Sequence, residues 1–187
     1  ILDAHNVGIV GRARESGESV FLSIQDTTTL NFHSHEALDY KGSIGSSKAA
    51  QGIFEHNTML MGAESGTIFG LLGSKIYVRE EDAKDEPKGA RNRKPIEEKE
   101  SYRWIESFKL TKDAKERMNY RGATLVSVGD READFYELLE LAQKHRNEGV
   151  ELLVRSQHNR KLAKSDEQGL RLWNHVAESE PKGVMTV

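Results

Sequence analysis

The chain has 187 residues, 36% of them hydrophobic and 30% charged, which suits one globular core and lies well short of a disorder-like composition. Its formal net charge is only −3, so bulk electrostatics do not favour nucleic acid and any such footprint must be local. Cysteine is absent, which excludes disulfides and thiolate zinc sites, and no apolar run is long enough to span a bilayer.

The first residues, Ile-Leu-Asp-Ala-His-Asn, lack the basic head and apolar body of a signal peptide, and no initiator methionine precedes them. The expectation is a piece cut from a longer protein. Residues 1–15 offer little beyond Gly11-Arg-Ala-Arg14 and read as a solvated lead-in. A strand is expected over 19–25, ending at Asp26-Thr27-Thr28-Thr29 and continuing as a short extended segment towards His35. His33 and His35 flank Ser34 and read as surface-loop histidines rather than metal ligands.

Tyr40 to Lys48 is rich in glycine and serine but lacks the Gly-x-x-x-x-Gly-Lys-Ser/Thr spacing of a P-loop. It reads as a connection, with a backbone contact to a DNA phosphate as the rival. Gly52–Met61 and Thr67–Arg79 read as two strands joined by Gly62-Ala-Glu-Ser-Gly66, an antiparallel hairpin. His56 lies inside the first of them and is expected to be half-buried and hydrogen-bonded. Residues 80–99 hold almost nothing that can pack, and Lys88, Arg91, Arg93 and Lys94 make this exposed loop basic.

Pro95 suits a first helical turn, and Ser101, Trp104, Ile105 and Phe108 keep one face, so a helix is expected over 96–109. Asp113 with Glu116 opens another short turn. The chain then returns to a strand over 123–128 by a crossover connection. Ala123 to Val128 shows no clear alternation, which suits an inner strand covered on both faces. Gly129 and Asp130 break it, and Phe135, Leu138, Leu139 and Ala142 then recur at helical spacing. Val150–Val154 forms another short strand, followed by the basic stretch Arg155-Ser-Gln-His-Asn-Arg-Lys-Leu-Ala-Lys164. Leu170–Val176 fits a short helix or a strand, and Gly183–Val187 looks like a strand barely begun.

Strand, two-stranded hairpin, helix, strand, helix, strand is the order of a ribonuclease-H-like α/β fold. That fold has a mixed sheet with an antiparallel hairpin, parallel strands and flanking helices. Its first and fourth strands are parallel neighbours, which would bring Asp26 and Asp130 to one rim, where open α/β sheets place their ligands. Hard divalent cations take carboxylate oxygens, and paired ions about 3.5–4 Å apart serve phosphoryl chemistry. The bland alternative is that both aspartates only cap loops and helices, a task for which Asp130 is well placed.

Four stretches then occur in order: Asp26-Thr27-Thr28; Pro95-Ile-Glu-Glu-Lys-Glu-Ser-Tyr-Arg-Trp104; Val128-Gly-Asp-Arg-Glu-Ala-Asp134; and Leu153-Val-Arg-Ser-Gln-His-Asn-Arg160. The set closely resembles bacterial DDE transposases of the insertion-sequence-four family, the group of transposon-five transposase, over about residues 19–175. The resemblance implies that Asp26 and Asp130 are the first two catalytic aspartates and the ligands of a two-metal site for Mg²⁺ or Mn²⁺. Arg131 belongs to the same motif. Arg155 and Arg160 match positions associated with DNA near the cleavage site, and His158 and Lys161 share their stretch. The third carboxylate of the family is a glutamate in a tyrosine–arginine–glutamate–lysine signature, which this chain does not contain. Glu132 and Asp134 read as supporting or helix-surface groups.

The fold expected is therefore a ribonuclease-H-like catalytic core over 1–165, incomplete at the C-terminus, with the start of a β-rich insertion at 166–187. The implied activity is metal-dependent phosphodiester cleavage and strand transfer at transposon ends, with this piece poorly active alone. Implied partners are double-stranded DNA, both transposon ends and target, and a second copy in the full-length synaptic complex, with no membrane. The implied place is the bacterial cytoplasm, on the nucleoid. Two rivals stay open. A non-catalytic DNA-binding remnant would keep the basic stretches and need no metal. A phosphatase with an aspartyl nucleophile usually has an aspartate two positions later, and Thr28 counts against it.

Overall fold

The computed structural model describes residues 2–35, 37–45, 50–79, 93–162 and 170–183. Most of the basic loop expected at 80–94, with Lys88 and Arg91, lies outside the described residues, as do residues 46–49 of the glycine–serine stretch and most of the expected 183–187 strand. The chain divides into two compact units, Ile1–Arg155 and Ser156–Val187.

The first unit is built on a mixed sheet. Its long strands are β1 (Val20–Asn31), β3 (Gln51–Gly62), β4 (Ile68–Tyr77), β5 (Thr124–Gly129) and β6 (Val150–Val154), and the two-residue β2 (Gly42–Ser43) borders β3. β1 runs antiparallel to β3, which runs antiparallel to β4. On its other edge β1 is parallel to β5, and β5 is parallel to β6. β1 thus lies inside the sheet between an antiparallel and a parallel half. It is longer than the expected 19–25 because its β-branched Thr27-Thr28-Thr29 run suits a pleated ladder and stays paired with β3 as far as Asn31↔Gly52.

Among the described residues three helices flank this sheet: α1 (Leu2–Glu15), α2 (Tyr102–Met118) and α3 (Tyr136–His145). α1 corrects the expected solvated lead-in. Gly8 and Gly11 weaken its intrinsic helicity, but Ile9, Val10 and Ala13 pack with Phe21, Leu60, Phe69, Met118 and Leu125, and tertiary burial outweighs propensity. Arg12 donates to the Phe69 carbonyl at 2.8 Å. α2 also differs from expectation. Lys99 is extended, so Ile96–Glu98 is a separate 3₁₀ turn, and the main helix runs unbroken from Tyr102 through Asp113. It ends at Asn119, whose left-handed φ of 45° suits a C-terminal cap. Trp104, Ile105 and Phe108 of α2 form a second core cluster with Ala133, Leu138 and Val150.

Both clusters take the same face of the sheet. In β5 only Leu125 and Ser127 are buried, while Thr124, Val126 and Val128 are half-buried. Within this unit the inner strand is thus fully covered on one face, not on both as its unbroken apolar run implied. In the second unit a short bridge pairs Lys161 with Arg171, and α4 (Leu172–Glu178) follows at once. The stretch that fitted either helix or strand contributes to both. Asn159 stabilises the start of α4 by accepting the Trp173 N–H at 3.0 Å.

Candidate metal and DNA site beside the parallel strands

Parallel register sets the geometry. β1 and β5 pair up to Ile24↔Val128, and the next residues on the same face are Asp26 and Asp130. Extended by one step of the strand alternation, the register sets the two aspartates level where the parallel β1–β5 pairing ends. Asp130 lies just past the carboxyl end of β5, but Asp26 lies inside β1, which runs on to Asn31 and so corrects the expected strand end at Asp26. Asp26 still belongs to the β1–β3 ladder, opposite Asn57. Both carboxylates are exposed.

Each aspartate is steadied by a nearby backbone N–H. Asp26 Oδ1 accepts the Thr27 N–H at 2.8 Å, and Asp130 Oδ1 accepts the Glu132 N–H at 2.8 Å. Asp130 is thereby the N-cap of a 3₁₀ turn, Arg131–Ala133, so the capping role holds at the level of geometry. The turn sits tightly on the core. A Cβ at Gly129 would lie 2.7 Å from the Ala133 Cβ and 3.2 Å from the Trp104 ring, a space only glycine fits without displacement. The residue before Asp130 is thus chosen by a close approach of turn and helix.

Behind the rim lies a buried polar cluster that the sequence did not announce. Thr27 Oγ1 is 2.8 Å from His56 Nδ1 and accepts from Arg103 Nε at 3.2 Å. Arg103, only 7% exposed, also donates through Nη1 to the Glu100 carbonyl at 2.8 Å and through Nη2 to Glu132 Oε2 at 2.7 Å. Glu100 in turn takes a two-pronged contact from Arg79 at 2.8 and 3.0 Å. Burial pushes the Glu100 carboxyl up, but hydrogen bonds and charge from Arg79 and Arg103 outweigh it and hold it below the ordinary carboxylate range. His56 is 2% exposed, and burial first, then the Arg103 and Lys75 charges, lower its pKa to about 4. Its ring meets Trp104 edge-on at 4.7 Å, and Nε2 is buried without a hydrogen-bond partner among the described residues. His56 is thus more deeply buried than the half-burial expected, and the expected hydrogen bond is made by one nitrogen only. The one cue in sequence was Arg103 itself, a charged residue four positions before Ser107 on the helix face that carries Trp104 and Phe108.

Glu132 is exposed but is held through one oxygen by Arg103, and Asp134 is buried. Among the described residues no three His, Asp or Glu side chains gather about one point. The two aspartates do fit part of a hard-cation shell, since each has one oxygen committed to a backbone N–H. Asn57, across the ladder from Asp26, holds a buried Oδ1 with no hydrogen-bond partner among the described residues. Oxygen donors of this kind suit Mg²⁺ or Mn²⁺. His33 and His35 are exposed on the loop after β1.

Of the residues expected to meet DNA, Arg131 and Arg155 are exposed at this same rim. Arg131 opens the turn after Asp130, and the Arg155 N–H donates to the Gly129 carbonyl at 3.3 Å. His158, Arg160 and Lys161 belong to the second unit, where the Arg160 carbonyl accepts the Leu172 N–H at 2.8 Å. No helix among the described residues is long and apolar enough to cross a membrane. No protein-family model matches the chain, and no curated protein matches it either.

Proposed function

We propose that this chain carries the catalytic core of a DDE-type DNA transposase, acting on phosphodiester bonds of double-stranded DNA at transposon ends. The observation that carries the proposal is the parallel β1–β5 register. It favours two exposed aspartates, level with one another, where the parallel pairing of two adjacent strands ends. A ribonuclease-H-like reading of the fold is supported by the strand order β4-β3-β1-β5-β6, antiparallel in its first half and parallel in its second.

In this reading Asp26 and Asp130 hold divalent cations, and Asn57 adds a neutral oxygen beside Asp26. Bound Mg²⁺ or Mn²⁺ supplies charge neutralisation and Lewis acidity for phosphodiester cleavage. The chain's own residues do the remaining work. Arg131 and Arg155 offer charge-assisted hydrogen bonds to backbone phosphates at the rim, and the second unit carries its own basic groups for DNA in Arg160, His158 and Lys161. The Thr27 and Glu132 amides fix the carboxylates that the cations require. The assignment includes a bacterial cytoplasmic setting and a second copy of the protein in the synaptic assembly.

A second reading, a DNA-binding remnant without catalysis, is favoured by the lack of a third clustered carboxylate among the described residues. Metal linkage separates the two. Mn²⁺ should raise the thermal midpoint of this chain, while Asp26→Asn and Asp130→Asn variants should fold and show no Mn²⁺ response. In any longer protein that carries the chain, the same substitutions should abolish Mg²⁺-dependent strand cleavage and spare DNA binding. Replacing Arg155, Arg160 and Lys161 together should flatten the salt dependence of duplex binding by about 0.9 in log–log slope per lost contact. A Mn²⁺ response absent from the unmutated chain, with the DNA footprint intact, would favour the remnant. An unchanged salt slope would remove the DNA footprint.

A further inference from the structure

The hydrogen bonds that hold the two aspartates converge on a single side chain to which the transposase resemblance attaches no role. On β1, Asp26 Oδ1 accepts from the Thr27 backbone N–H, and Thr27 Oγ1 accepts from Arg103 Nε at 3.2 Å. After β5, Asp130 Oδ1 accepts from the Glu132 backbone N–H, and Glu132 Oε2 accepts from Arg103 Nη2 at 2.7 Å. The third arm, Nη1, is tied to the Glu100 carbonyl at the approach to α2 at 2.8 Å. One planar guanidinium therefore grips, on each side, the residue whose backbone steadies an aspartate.

We propose that Arg103 is a positioning residue that sets the separation of the Asp26 and Asp130 carboxylates and so preorganises them for cations. This inference rests on the metal-site reading above. Three features of the residue support it. Burying a guanidinium is costly unless its donors are bonded, and here each of the three directions of the fork has an acceptor. The fork is rigid and planar, so it transmits geometry between strand, turn and helix in a way that a lysine ammonium cannot. Its charge has the wrong sign to attract a cation, because a fixed positive charge near the site opposes cation binding. A role through charge alone and a role through geometry thus predict opposite effects of removing it. Outer partners that orient metal ligands are typically worth about 10–100-fold in metal affinity.

The test is a Mn²⁺ titration of the 187-residue chain, followed by the electron paramagnetic resonance signal of free Mn²⁺, with circular dichroism confirming the fold of each variant. Asp26→Asn and Asp130→Asn should remove binding. Arg103→Gln and Arg103→Lys should each weaken it by about tenfold or more. Thr27→Val, which removes the acceptor without changing charge, should weaken it in the same direction. Equal or tighter binding by Arg103→Gln, or full affinity restored by Arg103→Lys, overturns the positioning role while leaving the metal site standing. If the unmutated chain shows no Mn²⁺ binding that the aspartate substitutions remove, the metal site itself is overturned and the role of Arg103 falls with it. Where an Arg103 variant does not fold, Thr27→Val decides: weakened binding supports the inference, and unchanged binding overturns it.

Discussion

Towards α1, α2 and α3, strand β1 presents Phe21, Ser23, Gln25 and Thr27. Towards the opposite face it presents Leu22, Ile24 and Asp26. The helix-covered face is the buried one, yet much of its centre is polar: Ser23 bonds Thr111 at 2.7 Å, Thr58 bonds Ser107 at 2.7 Å, and Gln25 bonds Ser127. The other face carries an apolar row, Leu71–Met59–Ile24–Val128–Leu153, across the paired strands, with Asp26, Asn57 and Glu151 on the same face. It is only partly covered within this unit, and Leu153 is 59% exposed and Ile68 62%. The contrast teaches that burial here follows where the helices land, and that a polar layer is tolerated inside when its members satisfy one another. This polar layer leads directly to the rim, from Ser23 and Gln25 to Thr27, His56 and Arg103.

The comparison is broken most severely at the apolar ends of the covered face. Phe108→Ala should cost about 3–5 kcal/mol in urea unfolding, because Phe108 is fully buried between Trp104 and Leu138 in the core. A loss below about 1 kcal/mol would mean that α2 does not pack as described. The polar layer should respond next. Thr111→Val leaves the buried Ser23 hydroxyl without its side-chain partner and should cost about 1–3 kcal/mol. Adding Ser23→Ala should recover part of that loss, and a double-mutant cycle showing simple additivity would deny the coupling.

A gentler effect is expected from pH. The folded-state pKa of His56 is lowered to about 4, below its ordinary value near 6.5, so the unfolded chain binds the proton more readily. The stability linked to this group is complete above about pH 6.5 and is lost as pH falls towards about 4. His56→Asn should flatten the fall of the urea midpoint over that window, and an identical slope in the variant would show that His56 does not titrate there. On the open face, Leu153→Thr and Ile68→Thr should each change stability by no more than about 0.5 kcal/mol. Costs approaching those of Phe108→Ala would show that this face is covered after all.

The mixed α/β sheet was legible in the sequence because its signals are local. Glycine-bounded Gly62–Gly66 marks the hairpin, and the break at Gly129-Asp130 marks the strand end. The parallel pairing of β1 with β5 was expected from the order of elements, which matches the ribonuclease-H-like arrangement. The first helix was hidden because Gly8 and Gly11 interrupt its pattern, and only contacts with Leu60 and Phe69 reveal its apolar side. α2 was cut short because Ser107 and Thr111 break the hydrophobic stripe, although both are buried and bonded to the sheet. The two aspartates could be named from expected strand ends, although only Asp130 sits at one, because the threonine run carries β1 past Asp26 to Asn31. Of their supports only Glu132 could be named, since Thr27, His56 and Arg103 are distant in sequence and meet only through tertiary packing.

The position of β1 between its two partners also orders the events of folding. β1, β3 and β4 follow one another along the chain and can pair as soon as they leave the ribosome. The opposite edge of β1 waits for β5, as the Gln25–Ser127 hydrogen bond across 102 positions makes plain. Closing a loop of that length carries a larger entropy penalty than closing a hairpin, and such non-local pairing is slow. Until it closes, a nascent three-stranded meander carries an unpaired inner edge and an apolar row, both inviting to other chains. The rim at Asp26 and Asp130 therefore comes into being only at the final docking of the parallel half. Whatever binds there cannot be held by the chain while it is still half made.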